Sequence, residues 1–185
     1  MSRPPTKAVI IRPAMAQDLA RLQAFAVQTW LAAFAHTYRD PEEPSRYVEE
    51  ELALARFAQA LGEDAILLAL ERRQDEAEEL LGYVQIGPAR FTDLQTDPGD
   101  QDLRRLYVAK DAQGRGIGHQ LMDAVLALVP VCQARRVFLD VWEHNHGAQK
   151  LYRSYGFKVI ARRRYIGANG QPEDEDYQMC RLQPQ

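Results

Sequence analysis

Cysteine is nearly absent: the 185 residues contain two, Cys132 and Cys180. Neither has the spacing of a metal site, and two thiols cannot build a disulfide framework. Both are expected as small buried apolar side chains rather than a disulfide. The four histidines cluster only as His144 and His146. Zinc needs three or four convergent ligands, so no metal is expected. Charge of one sign is also lacking. Lys and Arg number 23 against 26 Asp and Glu, a net charge of −3. That excludes the basic excess of nucleic-acid binders, so no nucleic acid is expected as a partner. No apolar run approaches the ~20 residues that cross a bilayer, so no membrane partner is expected. Met1-Ser2-Arg3-Pro4-Pro5 has no apolar signal core, which makes the cytoplasm the expected location. Repeats, linkers and low-complexity segments are missing as well. The length suits one domain, 1–185.

What is there begins with Gln113-Gly114-Arg115-Gly116-Ile117-Gly118. It follows a run over 103–108 that reads as a strand. It leads into an amphipathic stretch over 117–129 that reads as a helix, ended by Pro130. Three glycines at alternate positions leave backbone N–H groups uncovered at a helix start. Unpaired amides and the positive end of the helix dipole both favour an anion such as phosphate. A glycine-rich turn that only reverses the chain would look the same. A Walker loop is excluded, because no Gly-Lys-Ser/Thr triplet occurs. The dinucleotide fingerprint is excluded too, because His119 stands where its third glycine belongs.

A second segment lies further along. The run 137–141 is β-branched and aromatic, hence a strand. Asn145, Ala148 and Tyr152 then share one helix face, and Gly156 suits a helix C-terminus before the strand opened by Phe157. The remaining elements are a strand at 9–12, helices at 18–36 and 45–61, strands at 65–70 and 80–86, and a hairpin of 157–165 with 176–182 across Gly167-Ala168-Asn169-Gly170. A charged turn covers 72–79, a loop covers 88–100, and Gly82 marks a bulge.

Gln-x-x-Gly-x-Gly followed by Asn-x-x-Ala-x-x-Leu-Tyr-x-x-x-Gly-Phe resembles the cofactor site of the GCN5-related N-acetyltransferases (GNAT). The likeness covers roughly 65–182, with a cofactor-binding core at about 102–157. It implies an α+β fold, a three-layer α/β/α acyl-CoA N-acyltransferase architecture with one central mixed, mostly antiparallel sheet. It also implies acetyl-CoA as cosubstrate and transfer of an acetyl group to a primary amine by direct attack on the thioester. Thr29-Trp30, Phe34, Tyr38, Tyr107-Val108, Val141-Trp142-Glu143 and Tyr165-Ile166-Gly167 are similar to the spermidine/spermine acetyltransferase branch. That likeness points to a small amine or polyamine, with Trp30, Phe34 and Tyr38 binding substrate. A core would use the same aromatic positions.

Site roles follow from the resemblance. Strands 103–108 and 137–141 would splay around pantetheine. The backbone of Leu106, Tyr107 and Val108 would contact it, with the Val108 N–H as oxyanion donor. Gln113, Gly114, Arg115, Gly116, Ile117 and Gly118 would cradle the pyrophosphate. Asn145 would position pantetheine, although an Asn there would equally cap the helix. Tyr152 would protonate the leaving thiolate, or only pack. The family's glutamate base falls at Asp102, one methylene shorter; Glu143 is the other candidate. Acidic residues at 42–43, 49–51 and 174–176 could attract a polycation, whereas Arg162-Arg163-Arg164 argues otherwise. The alternatives kept open are a protein N-terminal or lysine acetyltransferase and a non-catalytic acyl-CoA-binding regulatory module. A homodimer is kept as an expected assembly.

Overall fold

The computed structural model describes residues 8–38, 40–73, 77–166 and 172–182. The expected turn at Gly167–Gly170, the centre of the 72–79 turn and the first five residues lie outside them. Seven strands form one mixed sheet in the order β1-β2-β3-β4-β5-β7-β6. They are β1 (Val9–Pro13), β2 (Ala65–Arg72), β3 (Glu78–Pro88), β4 (Gln101–Val108), β5 (Arg136–Trp142), β6 (Lys158–Ile166) and β7 (Pro172–Leu182). β4 pairs parallel with β5, whereas β1–β2, β5–β7 and β6–β7 are antiparallel. The helices are α1 (Leu19–Phe34), α2 (Glu43–Glu51), α3 (Leu54–Glu63), α4 (Ile117–Leu126), α5 (Val129–Cys132) and α6 (His146–Ser154). Two compact units emerge, Met1–Gln85 with Arg105–Val125, and Ile86–Arg104 with Leu126–Gln185.

In the first unit, Leu22, Ala26 and Trp30 recur every four residues along α1, which places them on one stripe. They bury against Leu52, Phe57, Ala60, Tyr83 and the continuous apolar run of β2. The expected single helix at 45–61 is instead two. Leu52 leaves helical geometry and Ala53 is extended, so α3 starts afresh. At ~3.6 residues per turn, one helix would hold Phe57 about 140° around from Leu52. The break lets both side chains reach the same core. Gly82, expected at a bulge, answers a close approach: a Cβ there would sit 2.7 Å from the Tyr107 carbonyl oxygen.

Asp18 caps the entry to this unit and is 2% exposed. It accepts from Arg12 at 2.7 and 3.0 Å, from the Met15 N–H at 2.9 Å, and from Arg21. The Arg12 guanidinium, against the cost of burial, holds this carboxyl well below the usual range. A depressed folded value gives stability that is present above the unfolded value and lost as pH falls through it. Asp18→Asn should therefore cost about 1.5–3 kcal/mol at neutral pH, since two guanidiniums lose a charged hydrogen-bond partner and keep only Glu78 as a carboxylate. Urea denaturation checks this, and the gap from wild type should narrow as the pH falls below about 4.

In the second unit, β7 runs between β5 and β6, with Phe138 opposite Cys180 and Arg163 opposite Asp176. The helix expected to run to residue 129 ends at Leu126. Pro130 does not end it but opens α5, where its missing N–H costs nothing. Cys132 is exposed rather than buried, at the end of that short helix, and Cys180 is half-buried; both are free thiols. Gly156 has φ +84° and stops α6. Its N–H donates to the Arg153 carbonyl at 3.0 Å and the Phe157 N–H to that of Tyr152 at 3.2 Å, a Schellman stop.

Candidate active site

In the first unit, β4 ends at Val108 and a short 3-10 turn leads to Gln113. The Gln113 side chain donates to the Val108 carbonyl at 3.2 Å, so it braces the loop against its own strand. Gly114 has φ +76° and Gly116 φ +80°, and a Cβ on either would meet nothing within 4 Å. These glycines are needed for backbone conformation, not for room. Ile117 then begins α4, and helix geometry leaves its first-turn N–H groups without intrahelical acceptors. Gly118 lies in that first turn. Arg115 is not a free surface charge but pairs with Glu71 on β2. An anion at this loop would meet the helix start and a guanidinium already oriented by a carboxylate.

Leu106, Tyr107 and Val108 form the last part of β4. The Tyr107 ring stacks on buried Tyr83 at 5.8 Å. Trp30, Phe34 and Tyr38 come together, with ring centroids 5.9 and 5.7 Å from Trp30. Tyr47 completes the group, stacked on Trp30 at 4.2 Å. Trp30 itself is 4% exposed, so it acts as the inner wall of this cluster.

In the second unit, Asn145 caps α6: its Oδ1 accepts from the Ala148 N–H at 3.1 Å. The cap fixes where α6 starts and therefore where Tyr152 lies. Tyr152 is 6% exposed, with its ring 6.0 Å from Phe157. Burial holds its phenol well above the usual range, so it stays protonated.

The carboxylates differ in what they are free to do. Glu143 Oε1 accepts from the Glu175 N–H at 2.8 Å, and its own N–H donates to the Glu175 carbonyl at 2.9 Å. This residue latches β5 to β7. Glu143, His144 and Asp174 bring polar atoms within 4.8 Å of one another, ion pairs when His144 is protonated. Asp102 lies on β4, 3.6 Å from Arg104. The acidic run 174–176 and the arginine run 162–164 largely answer each other. Glu175 pairs with Arg162 and Arg164, and Asp174 accepts from Trp142 Nε1 at 3.0 Å.

One residue escaped the sequence reading. Asp140 stands in β5, where Val137, Leu139 and Val141 point one way and Phe138, Asp140 and Trp142 the other. A charge inside an apolar run was the available signal. Asp140 and Asp102 both line a cavity of about 310 Å³ with Arg90, Phe91, Thr92, Leu103, Arg104 and Arg163. Asp140 Oδ2 accepts from Arg163 at 2.7 Å, and Arg163 also grips Asp93 at 2.9 Å through two nitrogens. Burial pushes the Asp140 carboxyl up to about 6; Arg163 and the Gln178 amide oppose this, while Asp176 and Asp93 add to it.

A strand, a left-handed glycine loop and a helix start, within one mixed seven-stranded sheet, define an acyl-CoA N-acyltransferase fold. The profile of the acetyltransferase (GNAT) family matches residues 27–157. The chain belongs to that family and is an N-acetyltransferase. It is 30% identical over 165 residues to an uncharacterized N-acetyltransferase of Mycobacterium tuberculosis, covering 89% of this chain and 97% of that one. It is 27% identical over 81 residues to the spermine/spermidine N(1)-acetyltransferase of Bacillus subtilis, covering 43% and 53%. The PaiA N-acetyltransferase of Thermoplasma acidophilum, solved in complex with coenzyme A, superposes with a TM-score of 0.70 at 18% identity, over 95% of this chain and 99% of that one. Among the described residues no helix is long and apolar enough to cross a membrane.

Proposed function

We propose that residues 1–185 act as one cytoplasmic domain that moves an acetyl group from acetyl-CoA to a small primary amine or polyamine by direct attack on the thioester. The observation that carries this is the loop at 113–118. Its two left-handed glycines open directly on the start of α4, a surface suited to a pyrophosphate. In this reading Leu106, Tyr107 and Val108 offer backbone to pantetheine, and the Val108 N–H meets the thioester oxygen. Asn145 serves through the start of α6 and Tyr152 as acid for the thiolate. The polyamine part is supported by the Bacillus relative and by the exposed acids of α2, not by 174–176, which are paired.

The test is steady release of free thiol from acetyl-CoA with spermidine or propylamine, above hydrolysis without amine. A matching acetyl mass gain on the amine is the expected result. Amine-independent release alone would sink the reading.

A further inference from the structure

Gly114 and Gly116 both carry positive φ, +76° and +80°. Glycine enters that region about as readily as it leaves it, so two such residues do not by themselves keep a loop in one shape. A loop that gathers N–H groups for an anion needs anchors from outside. At its entrance the Gln113 side chain donates to the Val108 carbonyl at 3.2 Å. At its exit the Gln120 N–H donates to the Gly116 carbonyl at 3.1 Å, a bond that starts α4. Between the two glycines stands Arg115, whose Nη2 donates to Glu71 Oε1.

Glu71 is placed to hold that side chain still. It lies near the end of β2 opposite Val9 of β1, so strand pairing fixes its backbone. Its side chain is 12% exposed and that of Arg115 32%. A fully exposed ion pair contributes little, but a partly buried one is screened less. Among the described residues Arg115 is the one hydrogen-bonding partner of the Glu71 side chain, and Glu71 that of the Arg115 side chain. A guanidinium carries five N–H donors in a fixed fork. Arg115 is therefore held at one nitrogen while its other donors stay available to an anion.

We propose that Glu71 is a positioning residue for the coenzyme. By holding the Arg115 guanidinium it keeps the turn between Gly114 and Gly116 in the form that receives the pyrophosphate. This rests on the reading of 113–118 as the pyrophosphate loop. Glu71 touches no substrate in this role and acts through Arg115. Its own charge works against an anion, so its hold and its charge have opposite effects on binding. Variants separate the two.

Titration calorimetry with coenzyme A tests this. Glu71→Ala removes the hold, and affinity should fall about five- to tenfold, the size of the ordering that binding must then supply. Glu71→Gln keeps an acceptor oxygen at the same reach and drops the charge, so its affinity should stay within about threefold of wild type. In an Arg115→Ala background, Glu71→Ala should cost less than about twofold, because the two residues act as one unit. KM for acetyl-CoA should rise in Glu71→Ala while kcat stays within about threefold. Melting curves show which variants fold. Glu71→Leu, which extends the apolar run of β2, replaces Glu71→Ala if that variant does not. Unchanged affinity in Glu71→Ala would overturn the proposal. A loss that persists in full without Arg115 would overturn it too, because it would report damage to the strand. Gly116→Asp tells this failure from that of the loop reading. If Gly116→Asp loses coenzyme A and Glu71→Ala does not, the loop stands and Glu71 has no part in it. If Gly116→Asp binds as wild type does, the loop reading falls and this proposal with it.

Discussion

Gly116→Asp is expected to lose acetyl-CoA binding by 10²-fold or more, whereas Gly116→Asn keeps most of it. Both replacements place a side chain at φ +80°. That strain is about 1–2 kcal/mol, and Asn and Asp tolerate the left-handed region better than other residues. Neither meets a clash, since a Cβ at 116 has nothing within 4 Å. The two variants therefore share size and strain and differ in charge. A carboxylate about 4 Å from a pyrophosphate oxygen costs ~1 kcal/mol in water and ~4 kcal/mol at a surface-like dielectric. With two phosphates the upper part of that range applies, and every 1.4 kcal/mol is tenfold. Titration calorimetry on both variants, with melting curves to show that they fold, is the measurement. Equal affinities would remove this loop from the cofactor site.

That contrast also shows what a sequence can carry. Glycines at 114, 116 and 156 are visible in the chain because each turns the backbone left-handed, a demand local to the residue. The strands at 103–108 and 137–141 are visible from their β-branched and aromatic residues, although Arg104, Arg105 and Asp140 interrupt the apolar pattern. The break at Leu52 and Ala53 is not visible. No glycine or proline marks it, and it exists because two side chains must reach one core. Pro130 misleads for a related reason: a proline ends one helix and begins another with the same chemistry.

Charge was the least legible part of the site. Residues 162–164 and 174–176 look like opposed patches in the chain, but strand pairing sets them side by side, so that Glu175 pairs with Arg162 and Arg164 while Arg163 reaches Asp93 and Asp140. Asp140 looks like an interruption in a strand, yet the register that sets Asp102 opposite Phe138 brings both aspartates to one cavity. Neither fact follows from local spacing, because both depend on which strands become neighbours.

Tyr152→Phe is expected to lower kcat by roughly 10²-fold or more while acetyl-CoA affinity stays within about threefold. The ring packs beside Phe157 at 6.0 Å within a helix fixed by the Asn145 cap and the Gly156 stop. A phenylalanine keeps that packing, so the variant should fold and melt close to wild type. Only the hydroxyl is lost. The proposed role needs that hydroxyl protonated when the C–S bond breaks. Burial holds the phenol above its usual range, so it remains a donor across any working pH. The same burial makes it a weaker acid than an exposed tyrosine. Transfer to a thiolate near the cysteine reference of ~8.5 is then uphill unless the thiolate is desolvated too. The proposed mechanism therefore requires that bond breaking and proton transfer occur together, since a free thiolate would gain little from so weak an acid. A solvent isotope effect on kcat in the wild type, lost or reduced in Tyr152→Phe, is the second readout. Turnover within about threefold of wild type, with the isotope effect intact, would make Tyr152 a packing residue and leave the thiolate to take its proton from water.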